Sequence, residues 1–180
     1  MYDILQTARN NWGWFLLAGV ALILIGFIAL GSAVYTTMFT VSFLGWLLVF
    51  AGVIEVIYAF WTVKWSGFFL SVVAGLFHLL VGALVLWNPV AAAAGLTLVI
   101  SILFIATGLI KMIGSAVHRF REWGWVFFSG LISFILGAMI LSEWPVSGLW
   151  VIGLFIGIDL IIYGWAWVLL AFGARQIPKA

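Results

Sequence analysis

The stretch WSGFFLSVVAGLFHLLVGALVLWNP, residues 65–89, decides the fold. It opens on Trp65-Ser66-Gly67-Phe68, carries two glycines seven apart, Gly75 and Gly82, and ends on Asn88-Pro89. His78 is its only ionisable side chain. One bilayer crossing takes ~20 apolar residues, and this stretch supplies them. Proline cannot continue a helical ladder and restricts the residue before it, so Asn88-Pro89 forces a corner. A second apolar helix then returns as far as Ile113.

The same pattern stands on both sides. Trp12-Gly13-Trp14 precedes Gly19 and Gly26, and Trp123-Gly124-Trp125 precedes Gly130 and Gly137. From copy to copy the glycine pairs are 56 and then 55 residues apart. A unit of two apolar helices is therefore written three times, over about residues 12–61, 65–115 and 123–172.

Composition sets the class. Of 180 residues 67% are hydrophobic and 7% charged, with a mean hydropathy of +1.35; a soluble domain carries roughly a quarter charged residues. No charged residue falls between Arg9 and Glu55, nor between Lys64 and Lys111. Each interval can cross a bilayer twice. Short alternating segments with polar lumen positions, the mark of a membrane barrel, are missing. The expected fold is an all-α membrane protein of six transmembrane helices. They form three parallel two-helix repeats around a pseudo-threefold axis, as one transmembrane domain over residues 1–180.

Helix 1 is expected over residues 12–31, then a polar corner over 32–37 and helix 2 over 38–61. Helix 3 spans 67–87 and helix 4 spans 90–115. The polar run His118-Arg119-Phe120-Arg121-Glu122 separates these from helix 5, over 123–141. Ser142-Glu143-Trp144-Pro145 matches the Asn-Pro corner, and helix 6 follows over 146–172. The first apolar run is longer than a signal-peptide core and belongs to the repeat, so it reads as a retained span.

Charge placement orients the chain. With six spans, Arg9, Lys64, Arg119, Arg121, Arg175 and Lys179 fall on one side, and Lys111 lies at the helix end nearest to it. The positive-inside rule then puts both termini in the cytoplasm of a multi-pass protein of the bacterial inner membrane. Trp12, Trp14, Trp61, Trp65, Trp123 and Trp125 gather at that side, with Trp87 and Trp144 at the other, as two interfacial belts. The net charge of +2 is scattered over helix ends, which is a poor phosphate-binding patch, so nucleic acid is not an expected partner. Lipid is the expected surround, with a second copy or another membrane protein as candidate partners.

Each two-helix unit enters and leaves on one side, so the repeats are parallel. Inverted repeats, the usual basis of alternating access, need an odd number of spans per unit. Glycines seven apart return to nearly one helix face, where close backbone packing joins helices in lipid. Gly19, Gly26, Gly75, Gly82, Gly130 and Gly137 are the expected packing positions. Gly52 and Gly108 are also related by the repeat, and either Gly157 or Gly164 is their counterpart in the third copy.

Four ionisable side chains fall inside expected spans: Glu55, His78, Lys111 and Asp159. A charge in the membrane interior is costly, so each is a candidate functional residue. Glu55 and Lys111 occupy equivalent positions in copies one and two and would form an ion pair locking helices 2 and 4, or Lys111 would snorkel to the interface. His78 and Asp159 lie near mid-bilayer. Histidine titrates near neutral pH, so a hydrogen bond between them would be pH-sensitive. Alternatively, each is simply satisfied inside the bundle.

Enzyme signatures are missing. The chain has no cysteine, paired metal-ligand histidines, phosphate loop or nucleophile elbow, so no catalytic residue, metal or cofactor is expected.

Three two-helix repeats with an aromatic-glycine start, a glycine pair in the first helix and an Asn-Pro or Trp-Pro corner resemble the HdeD family. The resemblance covers about residues 12–172 and is carried by Gly19 and Gly26, by Gly75 and Gly82 with Asn88-Pro89, and by Gly130 and Gly137 with Trp144-Pro145. Residues Ala106-Thr107-Gly108-Leu109-Ile110-Lys111 also resemble that family's fourth helix. The first copy departs from the pattern, with residues 32–37 in place of the corner proline. The resemblance implies a small plasma-membrane protein linked to acid resistance, with no catalytic residues to carry over. Two further readings stand beside it: a proton or small-solute pathway using Glu55, His78, Lys111 and Asp159, and an assembly subunit of a membrane complex.

Overall fold

Inside hydrocarbon every backbone N–H and C=O must be satisfied within its own segment, so long apolar runs without breakers become helices. A computed structural model describes residues 12–62, 65–118 and 121–175. Among them the helices are α1 (Trp12–Gly31), α2 (Ala33–Thr62), α3 (Trp65–Trp87), α4 (Pro89–His118), α5 (Trp123–Ser142) and α6 (Val151–Arg175). A single 3-10 turn, Val146–Leu149, precedes α6. All six helices are long and apolar enough to cross a membrane. The leader up to Asn11, the corner residues Lys64 and Arg119, and the tail with Lys179 lie outside the described residues.

The chain divides into two packing units, one holding residues up to Thr36 and from Ile152 on, the other Thr37–Val151. In the first, α1 and α6 run antiparallel with their glycines interleaved. A Cβ added at Gly19 would stand 2.8 Å from the Gly164 carbonyl oxygen, and one at Gly26 would stand 2.9 Å from that of Gly157. Real Cβ atoms do not approach backbone so closely, so only glycine lets the two helices meet. Phe15 and Trp167 add a tilted ring contact at 5.5 Å, and the Arg175 guanidinium sits 5.2 Å over the Trp12 ring.

The second unit contains two more such pairs. Gly52 of α2 lies against Gly75 and Leu79 of α3, and Gly82 of α3 against Gly45 and Val49. Gly108 of α4 lies against Gly130 and Phe134 of α5, and Gly137 against Ser101 and Ile105. All six glycines expected to pack helices do so. Their partners, however, are not the other helix of the same copy. The tight pairs join α2 to α3 and α4 to α5, across the boundaries between copies.

The buried positions keep the repeat's register. In α2 they include Val41, Gly45, Gly52 and Ala59; in α4, Thr97, Ser101, Gly108 and Ser115; in α6, Gly153, Gly157, Gly164 and Ala171. Each set follows the one before by 56 residues, and small side chains fill nearly all of it. The third copy is therefore regular: Gly164 is the counterpart of Gly52 and Gly108, and Gly157 that of Gly45 and Ser101.

Two corners differ from expectation. Residues 32–37 are not a loop, because only Ser32 interrupts the helices. Its N–H donates to the Ile28 carbonyl at 3.0 Å, its own carbonyl accepts from the Thr36 N–H at 2.9 Å, and its hydroxyl also donates to Ile28. With the ladder carried through Ser32, α2 starts at Ala33. Asn88 is likewise a one-residue break. Its Oδ1 accepts the Ala91 N–H at 3.0 Å, capping α4, and Pro89 takes the first helical position, where its missing N–H costs nothing.

After α5 the chain does not enter helix 6 at Val146. Pro145 begins a 3-10 turn that brings Gly148 to within close contact of Ala94 in α4, where a Cβ would stand 2.6 Å from the Ala94 Cα. The Trp144 indole N–H donates to the Ala94 carbonyl at 3.0 Å, and the buried Ser147 hydroxyl donates to Ile140 at 2.8 Å. Trp144, expected only as an interfacial anchor, also ties the corner to α4.

Thr97 carries a cost. It is 0% exposed, and its hydroxyl has no hydrogen-bond partner. Val41, its counterpart 56 residues earlier, is equally buried. Thr97→Val is therefore expected to stabilise the protein by about 1 kcal/mol, the cost of an orphaned buried hydroxyl. Thermal unfolding in detergent checks this, and an unchanged or lowered midpoint would refute it.

Candidate functional site

The α2–α3 seam places Glu55 and His78 together. Along it Gly52 faces Leu79 and Gly75 faces Val56, and Glu55 and His78 lie between these contacts on the two facing helices. The His78 Nδ1–H donates to Glu55 Oε2 at 2.8 Å. Neither side chain sits in the buried glycine seam: they are 41% and 33% exposed, on its flank. The pair thus spans two helices on a surface of exposed apolar residues, among them Ile54, Tyr58 and Phe77.

Glu55 bonds His78, which corrects the pairing of Glu55 with Lys111 drawn from the sequence. Lys111 is exposed, with its stem beside Gly130, and has no ion-pair partner among the described residues. Asp159 lies on α6, exposed and likewise without an ion-pair partner among the described residues.

The repeat shows how local the pair is. Counterparts of Glu55 are Lys111 in α4 and Trp167 in α6; counterparts of His78 are Ser133 in α5 and Leu22 in α1. Ser133 donates to the Ser129 carbonyl at 3.0 Å, and Trp167 makes its tilted ring contact with Phe15. One position on three equivalent seams therefore reads acid–base, cation–hydroxyl and wholly apolar. Only the first makes a charged contact between helices.

Two protonatable groups at hydrogen-bond distance can hold or release a proton, and their attraction depends on how many they hold. With one proton between them they are an imidazolium and a carboxylate, the strong form of the bond. A second proton neutralises the carboxylate and leaves a lone positive charge on the imidazole. No group of three metal-ligating side chains occurs among the described residues. An open groove at the start of α5 is lined by Arg121, Glu122, Trp123, Trp125 and Phe128, none of them one of the four candidates.

A family model described as a short repeat of unknown function (DUF308) matches residues 17–87 and again 73–142. The two matches begin 56 residues apart and end 55 apart, the offsets already seen in the glycines. The first covers the whole α2–α3 seam and the second the whole α4–α5 seam. No curated protein and no solved structure matches the chain.

Proposed function

The chain belongs to the DUF308 short-repeat family, to which HdeD belongs, and on that footing we propose an HdeD-like, non-enzymatic role in resistance to acid or envelope stress. The observation that carries the reading is the Glu55–His78 bond: a protonatable contact between two helices, kept at one of three related seams. Acid would change how many protons this pair holds, and with that the strength of the tie between α2 and α3. A protein of this kind answers to pH through packing and does so without a substrate.

The rest of the expected architecture belongs to the same proposal. The three seams are related by a pseudo-threefold axis along the membrane normal, and the basic residues hold both termini on the cytoplasmic face of a bacterial inner membrane. The matching burial stripes of α2, α4 and α6 support the first point. Arg121 and Arg175, at the ends of α5 and α6 that share a side in a six-span chain, support the second.

The test is survival of cells after an acid shift, with and without the chain. Protection by the natural protein, lost in both Glu55→Gln and His78→Ala, is expected; no protection by the natural protein sinks the proposal. Vesicles loaded with a pH-sensitive dye separate it from a proton pathway. Protein-dependent proton flux would favour the pathway over the packing role.

A further inference from the structure

α6 carries a second small-residue face, opposite the one that packs on α1. Gly157, Gly164 and Ala171 form the buried stripe. Two positions on, about 200° around the helix, Asp159, Ala166 and Gly173 form another at the same seven-residue spacing, and all three are exposed. No heavy atom lies within 4 Å of where a Gly173 Cβ would stand.

This face is peculiar to α6. The corresponding residues are Leu47, Ile54 and Trp61 in α2, and Leu103, Ile110 and Val117 in α4. All six are large, apolar and exposed, as side chains turned to lipid tails should be. In α6 the leucine has become a carboxyl and the bulk below it has gone. A carboxyl facing hydrocarbon needs a hydrogen-bonding partner at its own depth, and small residues below it let another helix approach closely.

We propose that this face of α6 is the contact between two copies of the chain, with Asp159 meeting Asp159 across a twofold axis along the membrane normal. Copies inserted in one orientation are related by such an axis, which places the same residue at the same depth on both. A carboxyl is self-complementary, because its protonated form both donates and accepts and two facing carboxyls can share a proton. Ala166 and Gly173 then fall opposite their own copies, where their size allows the backbones to close. No other partner is guaranteed a polar group at that level.

The chain has no cysteine, so one introduced thiol reports one contact. Ile162, one turn from Asp159 and exposed, is replaced by cysteine; Leu103→Cys on α4 serves as the reference. The full-length protein is reconstituted at high lipid excess in phosphatidylethanolamine–phosphatidylglycerol vesicles and oxidised. A disulfide-linked dimer is expected from Ile162→Cys and not from Leu103→Cys. Adding Asp159→Leu, which restores the repeat's own residue, should cut that cross-linking about five- to tenfold, while Asp159→Asn retains most of it. Equal capture at both sites, no capture at Ile162, or full capture in Asp159→Leu would each overturn the proposal.

Discussion

Leucine at Gly108 is expected to part α4 from α5, lowering stability by about 3 kcal/mol or more. Even a Cβ there would lie 2.6 Å from the Phe134 backbone nitrogen and 2.7 Å from the Gly130 carbonyl oxygen. These are backbone atoms of a helix held by its own ladder, so neither can step aside as a side-chain tip could. The helices must separate, and the Gly130 and Gly137 contacts go with them. Gly95→Leu on the same helix is the control, since nothing lies within 4 Å of its Cβ position. It should change stability by no more than about 0.5 kcal/mol. Thermal unfolding of both variants in detergent decides the matter. Equal losses would mean that α4 suffers from any lost glycine, and the seam would lose its claim.

Glu55→Lys is expected to cost about 1 kcal/mol. It replaces the acceptor of the His78 N–H with an ammonium, which can only donate. Adding His78→Ser recreates the Lys111–Ser133 combination of the α4–α5 seam, which the fold already accepts. The double variant should therefore regain most of the loss. Unfolding midpoints test both claims, and a deficit unaffected by His78→Ser would mean that the two residues are not coupled.

The spans were legible because hydropathy and breakers act locally. Tryptophan-glycine starts mark the beginning of α1 and α5, and Pro89 marks that of α4 by its own chemistry. The packing glycines were legible too, since a seven-residue spacing fixes a helix face. What the spacing does not contain is the identity of the helix that docks on that face. Reading along the repeat set Glu55 beside Lys111, because equivalent residues share a position in their copies. Contacts are made across the copies, between antiparallel helices, where Glu55 meets His78. The signal was available in the glycines: if Gly45 and Gly52 run antiparallel to Gly82 and Gly75, Glu55 and His78 are carried together. The 3-10 turn at Val146–Leu149 was hidden for a different reason, since it depends on Ala94, some fifty residues away.

The pairing of α1 with α6 also bears on how the protein is made. α2 with α3, and α4 with α5, can close as hairpins soon after each second helix leaves the ribosome. α1 cannot, because Gly19 and Gly26 find their complement only in Gly164 and Gly157. At about 5–20 residues per second, synthesis brings α6 out roughly seven to thirty seconds after α1. During that interval the glycine face of α1 has only lipid or the insertion machinery against it. α6, translated well after α1, is thus the helix that lets α1 settle, and a chain cut short before Gly157 leaves α1 unmatched.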